Sequence, residues 1–103
     1  MTGQRKLFTV IMEFEGTTSV SQVRARSANE ALRVWARKLR TPDVYALKKK
    51  QAAKLIRGFK SDNDLGLLFP VALNGVSNVW CTTVSGGRSS ALINIVATLE
   101  ESN

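Results

Sequence analysis

Hydrophobic and polar residues alternate along the first quarter of the chain as they do in an antiparallel hairpin. Every second position from Phe8 to Phe14 is apolar, and a period of two is typical of a strand with one buried face. Glu15-Gly16 supplies a turn, and the stretch from Thr18 to Arg26, rich in β-branched and polar residues, predicts the returning strand. Val20 and Val23 are three positions apart there, which indicates either imperfect alternation or a bulge.

A helical period replaces the strand period after this hairpin. Ser27 and Glu30 fit a capping box, in which the hydroxyl accepts an early helix N–H and the carboxylate reaches back. Apolar residues then recur at helical spacing as far as Leu39. We predict a helix that ends near Arg40, because the residue before a proline is biased away from the α region.

A second helix is predicted in the segment that follows. Thr41-Pro42 is typical of a helix start, with threonine as the N-cap and proline at the first helical position. A broad apolar face runs from Val44 to Phe59, but Lys48 falls inside it. The second helix is therefore interrupted at this lysine or begins later.

The last third of the chain returns to a period of two. Residues 67–73 are apolar, and Pro70 favours an edge strand or an extended connector there. Asn74-Gly75 is a strong hairpin signal, and a strand is predicted over residues 76–84. After a turn at residues 85–87, the alternation from Ala91 to Leu99 predicts the final strand.

These elements predict one α+β domain over residues 1–103. Their order is β-β-α-α-β-β-β, in which the third strand is an edge strand or an extended connector because of Pro70. Two hairpins around a helical middle favour an antiparallel sheet of four to five strands with two helices packed on one face. An apolar content of 44% in 103 residues is enough for one core.

The residue types that are missing exclude several kinds of site. The chain has no histidine, so it has no Ser-His-Asp or Cys-His pair and no imidazole metal ligand. Cys81 is its only cysteine, which excludes an intramolecular disulfide, and we interpret it as a small buried strand residue. We expect a non-enzymatic protein without catalytic residues, cofactor or metal. No run approaches 18 apolar residues, so we also expect no membrane association and a cytoplasmic location.

Positive charge is concentrated in the predicted helical segment. Residues 24–60 hold twelve Lys or Arg against Glu30 and Asp43, a net charge of +10, whereas the whole chain carries +7. Such a cluster attracts phosphates, anionic lipids or acidic proteins. The alternative is a solvated outer face whose long side chains cover apolar surface. If nucleic acid binds there, the contacts are expected from Arg33, Arg37, Arg40, Lys50, Lys54 and Arg57.

Two functional hypotheses follow from this pattern. The first is a small binding or adaptor protein that acts through protein–protein contacts, because strand edges can pair with another chain. A homodimer is one form that such contacts could take, and no motif specifies another partner. The alternative hypothesis is a nucleic-acid-binding protein that uses the basic helical segment 24–60.

Overall fold

The computed structural model describes residues 4–41 and 44–99, which form five strands and two α-helices. In chain order the elements are β1 (Lys6–Phe14), β2 (Thr17–Ala25), α1 (Ala28–Arg37), α2 (Lys49–Asp64), β3 (Val71–Ala72), β4 (Val79–Gly86) and β5 (Ser89–Ala97). Short 3₁₀ turns at Lys38–Arg40 and Val44–Ala46 lie between the two helices. The α+β class and the order β-β-α-α-β-β-β are confirmed.

All five strands belong to one antiparallel sheet with the order β2-β1-β5-β4-β3. The two hairpins β1–β2 and β4–β5 are joined at the centre of the sheet, where β1 pairs with β5 and Met12 lies opposite Ile93. The register between β1 and β2 is unbroken, so β2 contains no bulge. Imperfect alternation is the correct alternative: Val23 is buried in the core, whereas Val20 points to the other face and is 66% exposed.

One face of the sheet packs against the helices and forms the core. The helix α1 begins at Ser27, whose Oγ accepts a hydrogen bond from the Glu30 N–H at 3.1 Å. The Glu30 carboxylate accepts from the N–H of Arg26 at 2.8 Å, one residue before the cap, so this predicted helix start is confirmed. The helix buries one side against the sheet, formed by Ala28, Ala31, Leu32, Trp35 and Ala36. They meet the inward side chains of the strands, among them Phe8, Val10, Met12, Ile93 and Ile95.

The second helix begins at Lys49, which is the later of the two expected starts. Pro42 lies outside the described residues. Between Thr41 and the helix, Tyr45 and Ala46 have positive φ angles of 58° and 56°, which an α-helix cannot contain. The ring of Tyr45 stacks on Trp35, with ring centroids 5.1 Å apart, and its hydroxyl donates to the Trp35 carbonyl at 2.9 Å. The buried Tyr45 therefore lies in a connection that is not helical.

The helix α2 covers the edge of β4 that the short strand β3 leaves open. Only Val71–Ala72 pairs with β4, in agreement with the edge position expected from Pro70. Farther along β4, the backbone N–H of Ser85 donates to Asp62 Oδ2 at 2.7 Å, and its Oγ donates to Oδ1 at 2.9 Å. The helix backbone approaches closely because residue 58 is glycine: a Cβ there would lie 1.5 Å from the Ser85 carbonyl oxygen. The Asp62 carboxylate thus accepts a hydrogen bond from a backbone N–H at the edge of β4, which another chain could otherwise pair with.

Two predictions about single residues are wrong. Cys81 is not a core residue. It alternates with the buried Thr82 and Val84 in β4, so it lies on the sheet face opposite the helices, where it is half-buried. Leu99 does not continue the buried alternation of the last strand, since β5 ends at Ala97 and the leucine is 92% exposed. Within the described ranges, no helix is long and apolar enough to cross a membrane.

Candidate nucleic-acid interface

A groove lies between α1, the 3₁₀ turn that follows it, and α2. Its volume is about 310 Å³. Its floor is apolar, formed by the buried Ala36 and Leu39 and the half-buried Ile56 and Phe59. Its rim is polar and mostly basic, formed by Arg33, Arg37, Arg40, Lys60 and Asn63. A second depression of about 490 Å³ shares Leu39, Arg40 and Ile56 and extends the groove toward Lys49 at the start of α2.

Helical spacing places the basic side chains on one side of α1. Arg33 and Arg37 are four residues apart, so they lie one above the other, and the 3₁₀ turn adds Arg40 three residues later. On α2, Ile56, Lys60 and Asn63 follow the same rule and face α1 across the groove. The groove is therefore a direct result of residue spacing on two packed helices.

Most of the rim cations are unpaired within the described chain. The Arg33 guanidinium donates from Nη1 to Asn63 Oδ1 at 2.8 Å, a contact that joins α1 to α2. Arg37, Arg40 and Lys60 have no ion-pair partner among residues 4–41 and 44–99, and no carboxylate from those ranges lines the groove. Like charges above an apolar floor focus a positive potential into the space between the helices.

The structure separates the six cations that were expected to bind nucleic acid. Three of them, Arg33, Arg37 and Arg40, line the groove. Lys50 and Arg57 are exposed on α2 but do not belong to the groove lining. Lys54 lies on another side of the helix, where its Nζ forms an ion pair with Glu15 at 3.1 Å beside the β1–β2 turn. These three α2 residues therefore do not converge with the three arginines of α1 and its following turn.

Two rim residues were absent from the sequence-based set. Lys60 and Asn63 follow Ile56 by four and seven residues, so helical spacing from an apolar residue could have identified both. The missing information was which helix face turns toward α1. That orientation depends on the contacts of Gly58 and Asp62 with β4, which one-dimensional spacing does not show.

The other chemically notable residue in this region is structural. Burial raises the pKa of Tyr45 from the ordinary value of 10.0 to about 12. Its hydroxyl is committed to the Trp35 carbonyl and its ring to the Trp35 indole. Among the described residues there is no group of three His, Cys, Asp or Glu side chains arranged to hold a metal ion.

Comparisons with models of known families, with curated proteins and with solved structures find no match to this chain. Function is therefore inferred from the chemistry of the groove. Guanidinium and ammonium groups only donate hydrogen bonds, and arginine binds phosphate through two parallel bonds. The apolar floor beneath the cations has room for a less polar group. A ligand with phosphates along its edge and flatter apolar parts beneath them fits this arrangement.

Proposed function

We propose that this chain is a small, non-enzymatic cytoplasmic protein that binds nucleic acid in the basic groove between α1 and α2. The observation that carries the proposal is the convergence of Arg37, Arg40 and Lys60, without ion-pair partners in the described chain, around an apolar floor. A phosphate backbone neutralises such cations and releases its own counterions. If the basic residues only formed solvated outer helix faces, cations from two helices would have no reason to line the same groove.

The groove favours phosphate contacts over the reading of bases. Its one aromatic lining residue, Phe59, is half-buried and packs against the core, so the described lining offers no exposed ring on which bases could stack. Phosphate contacts position a nucleic acid but carry no direct sequence information. We therefore expect binding with little sequence preference.

Fluorescence anisotropy with labelled mixed-sequence oligonucleotides, single- and double-stranded, tests the proposal. In the groove variant, Arg37, Arg40 and Lys60 are all replaced by Gln. In the control variant, the exposed cations Lys50, Arg57 and Arg88 are replaced by Gln, which removes the same charge outside the groove lining.

The salt dependence distinguishes a groove from diffuse attraction. If the three groove cations each contact a phosphate, the slope of log K against log salt concentration should become shallower by about 2–3 in the groove variant. The control variant should keep a slope close to that of the wild-type protein. Equal weakening by both variants, or no salt-sensitive binding at low ionic strength, would contradict the proposal.

Protein–protein contact, the first hypothesis from the sequence, is favoured by a different part of the surface. Large apolar side chains are exposed along the segment around β3, with Leu67 at 62%, Phe69 at 65% and Val76 at 55% exposure. Exposed apolar patches mark interaction sites more often than chance. A photo-crosslinking residue at position 69 should capture one protein in cells, whereas the same residue at Ser61 on α2 should not. Equal adducts at both positions would count against this second function.

A further inference from the structure

The sheet face opposite the helices is covered by no element of residues 4–41 or 44–99. Strand register aligns its side chains in rows that cross the sheet. The central row spans all five strands and contains Val20, Ile11, Asn94, Cys81 and Val71. The two flanking rows contain Leu92, Val96 and Val79, four hydroxyl or amide side chains, and Glu13.

This outer face is unusually poor in charge for a surface in contact with water. Of the thirteen side chains in these three rows, Glu13 alone is charged and seven are apolar, and the next row on this face adds Leu7 beside the charged Arg24. Val20 is 66% exposed and Val71 62% exposed, one at each edge of the sheet. A sheet face that stays in water normally carries polar and charged side chains, whereas the centres of protein interfaces are depleted of charge. The outer face therefore has the composition of an interface.

We infer that the chain forms a homodimer in which the outer faces of two sheets stack on each other. Charge distribution permits a second copy on this face, because the basic groove lies on the other side of the sheet. Each chain carries +7, so two copies repel wherever their basic surfaces meet. The outer face lies on the side of the sheet away from the basic groove, so stacking there holds the two grooves at opposite ends of the dimer.

Distance limits the remaining repulsion. Stacked sheets lie about 10 Å apart, and the helix layers add about 10 Å on each side. The two groove regions would thus be separated by about 30 Å, several times the Debye length of about 8 Å at physiological ionic strength. Charge repulsion between the two copies would then be largely screened.

The chemistry of the outer face is also self-complementary. Its polar members include Thr83 and Asn94, whose hydroxyl and amide groups both donate and accept hydrogen bonds, whereas Gln22 already donates to Thr9 at 3.1 Å within the chain. A twofold dimer brings the same surface patch together on both subunits, so each patch must be able to satisfy a copy of itself. A face of one charge sign could not do this.

The available area is sufficient for a dimer of modest affinity. Strands of eight or nine residues extend about 26 Å, and the sheet is about 20–24 Å wide at ordinary strand spacing. Because β3 has only two residues, stacking buries about 500 Å² on each copy, or about 1,000 Å² in total, which is below the range of stable interfaces and within that of weak ones. We expect a dimer that dissociates on dilution.

Light scattering coupled to size exclusion, over a range of protein concentrations, tests the dimer with matched variants. Asn94→Lys places a charge in the middle of the central row, and Val20→Lys places one at its exposed end. The control Ser61→Lys adds the same charge on the exposed surface of α2. At high concentration the wild-type protein and the control should show twice the chain mass of 11.3 kDa, and the two face variants should show the chain mass.

The single cysteine provides an independent readout of the same face. Cys81 lies in the central row and is half-exposed in the isolated chain. Its reaction with a thiol reagent should slow as wild-type protein is concentrated, and should stay fast in the Val20→Lys variant, whose residue is too exposed in the monomer to affect folding. A wild-type monomer at the highest concentration would overturn the inference. A dimer that both face variants leave intact, with unprotected Cys81, would overturn it as well.

Discussion

Replacement of Gly58 by alanine is expected to destabilise the protein although it improves the helix propensity of α2. Alanine in a helix interior is favoured over glycine by about 1 kcal/mol. At residue 58, however, the new Cβ would lie 1.5 Å from the Ser85 carbonyl oxygen and 2.4 Å from its carbon. Both are backbone atoms of β4, so no side-chain rotation can relieve the overlap.

The size of the effect follows from how far α2 would have to move away from β4 to accommodate the alanine side chain. Ordinary contact begins near 3.4 Å, so helix and strand must separate by about 1.9 Å at this point. The hydrogen bonds from Ser85 to Asp62, now 2.7 and 2.9 Å long, would then be broken. Hydrogen bonds to a charged group contribute about 1.5–3 kcal/mol each. After the gain in propensity is subtracted, we expect a net loss of about 3 kcal/mol in the free energy of unfolding.

Urea unfolding followed by circular dichroism measures this loss, which corresponds to a fall of more than about 10 °C in Tm for a domain of this size. Ser61→Ala is the control on the same helix, because its side chain is exposed and the change should stabilise by at most about 0.5 kcal/mol. Asp62→Ala removes the hydrogen bonds without the overlap. Because both changes break the same contacts, the double variant should lose less than the sum of the two single losses. A Gly58→Ala protein as stable as the wild type would refute the reasoning.

Two further predictions concern buried hydroxyl groups. Tyr45→Phe removes the donor to the Trp35 carbonyl and should cost about 1–1.5 kcal/mol in unfolding free energy. Tyr45 is the only tyrosine, so phenolate absorbance follows it alone. The pKa of Tyr45 is raised to about 12 in the folded state, so the contribution of its neutral hydroxyl to the free energy of unfolding is complete below pH 10 and is lost as the pH rises through about 12. A titration midpoint near 10 would contradict this expectation. Ser19→Ala removes a buried hydroxyl that has no partner in the described chain, so thermal unfolding should show unchanged or higher stability, and a loss above about 1 kcal/mol would show that the hydroxyl is satisfied.

Local patterns predicted most of the fold because they depend on neighbours in sequence. The capping at Ser27 and the alternation in β1 and β5 each required only a few adjacent residues. The start of α2 could not be fixed in the same way. It follows a connection with positive φ angles in which Tyr45 stacks on Trp35, ten residues earlier, and a contact at that distance is not visible in a local pattern. Cys81, in contrast, faces away from the helices because it is next to the buried Thr82 in a strand, and alternation alone could have shown this.

The candidate site was predictable on α1 and less so on α2. Arg33, Arg37 and Arg40 share one side because their spacing is helical, whatever the helix packs against. The choice between Lys54 and Lys60 depends on how α2 is rotated about its axis. That rotation is set by the contacts of Gly58 and Asp62 with β4. Neither residue is basic or strongly apolar, so neither is marked by the pattern of charge or of hydrophobicity along the chain.

The helix α2 thus links stability to the proposed binding site through its different sides. Leu55, Gly58 and Asp62 face the sheet and the edge of β4, whereas Ile56 and Lys60 face the groove. A change that lifts the helix from β4 should therefore also move the groove-facing side chains relative to α1. Substitutions of Arg37, Arg40 and Lys60, in contrast, remove no hydrogen bond or ion pair within the described chain and should alter binding without altering stability. Substitutions at the rim therefore test the role of the basic charge in binding, and Gly58→Ala tests the role of the groove geometry.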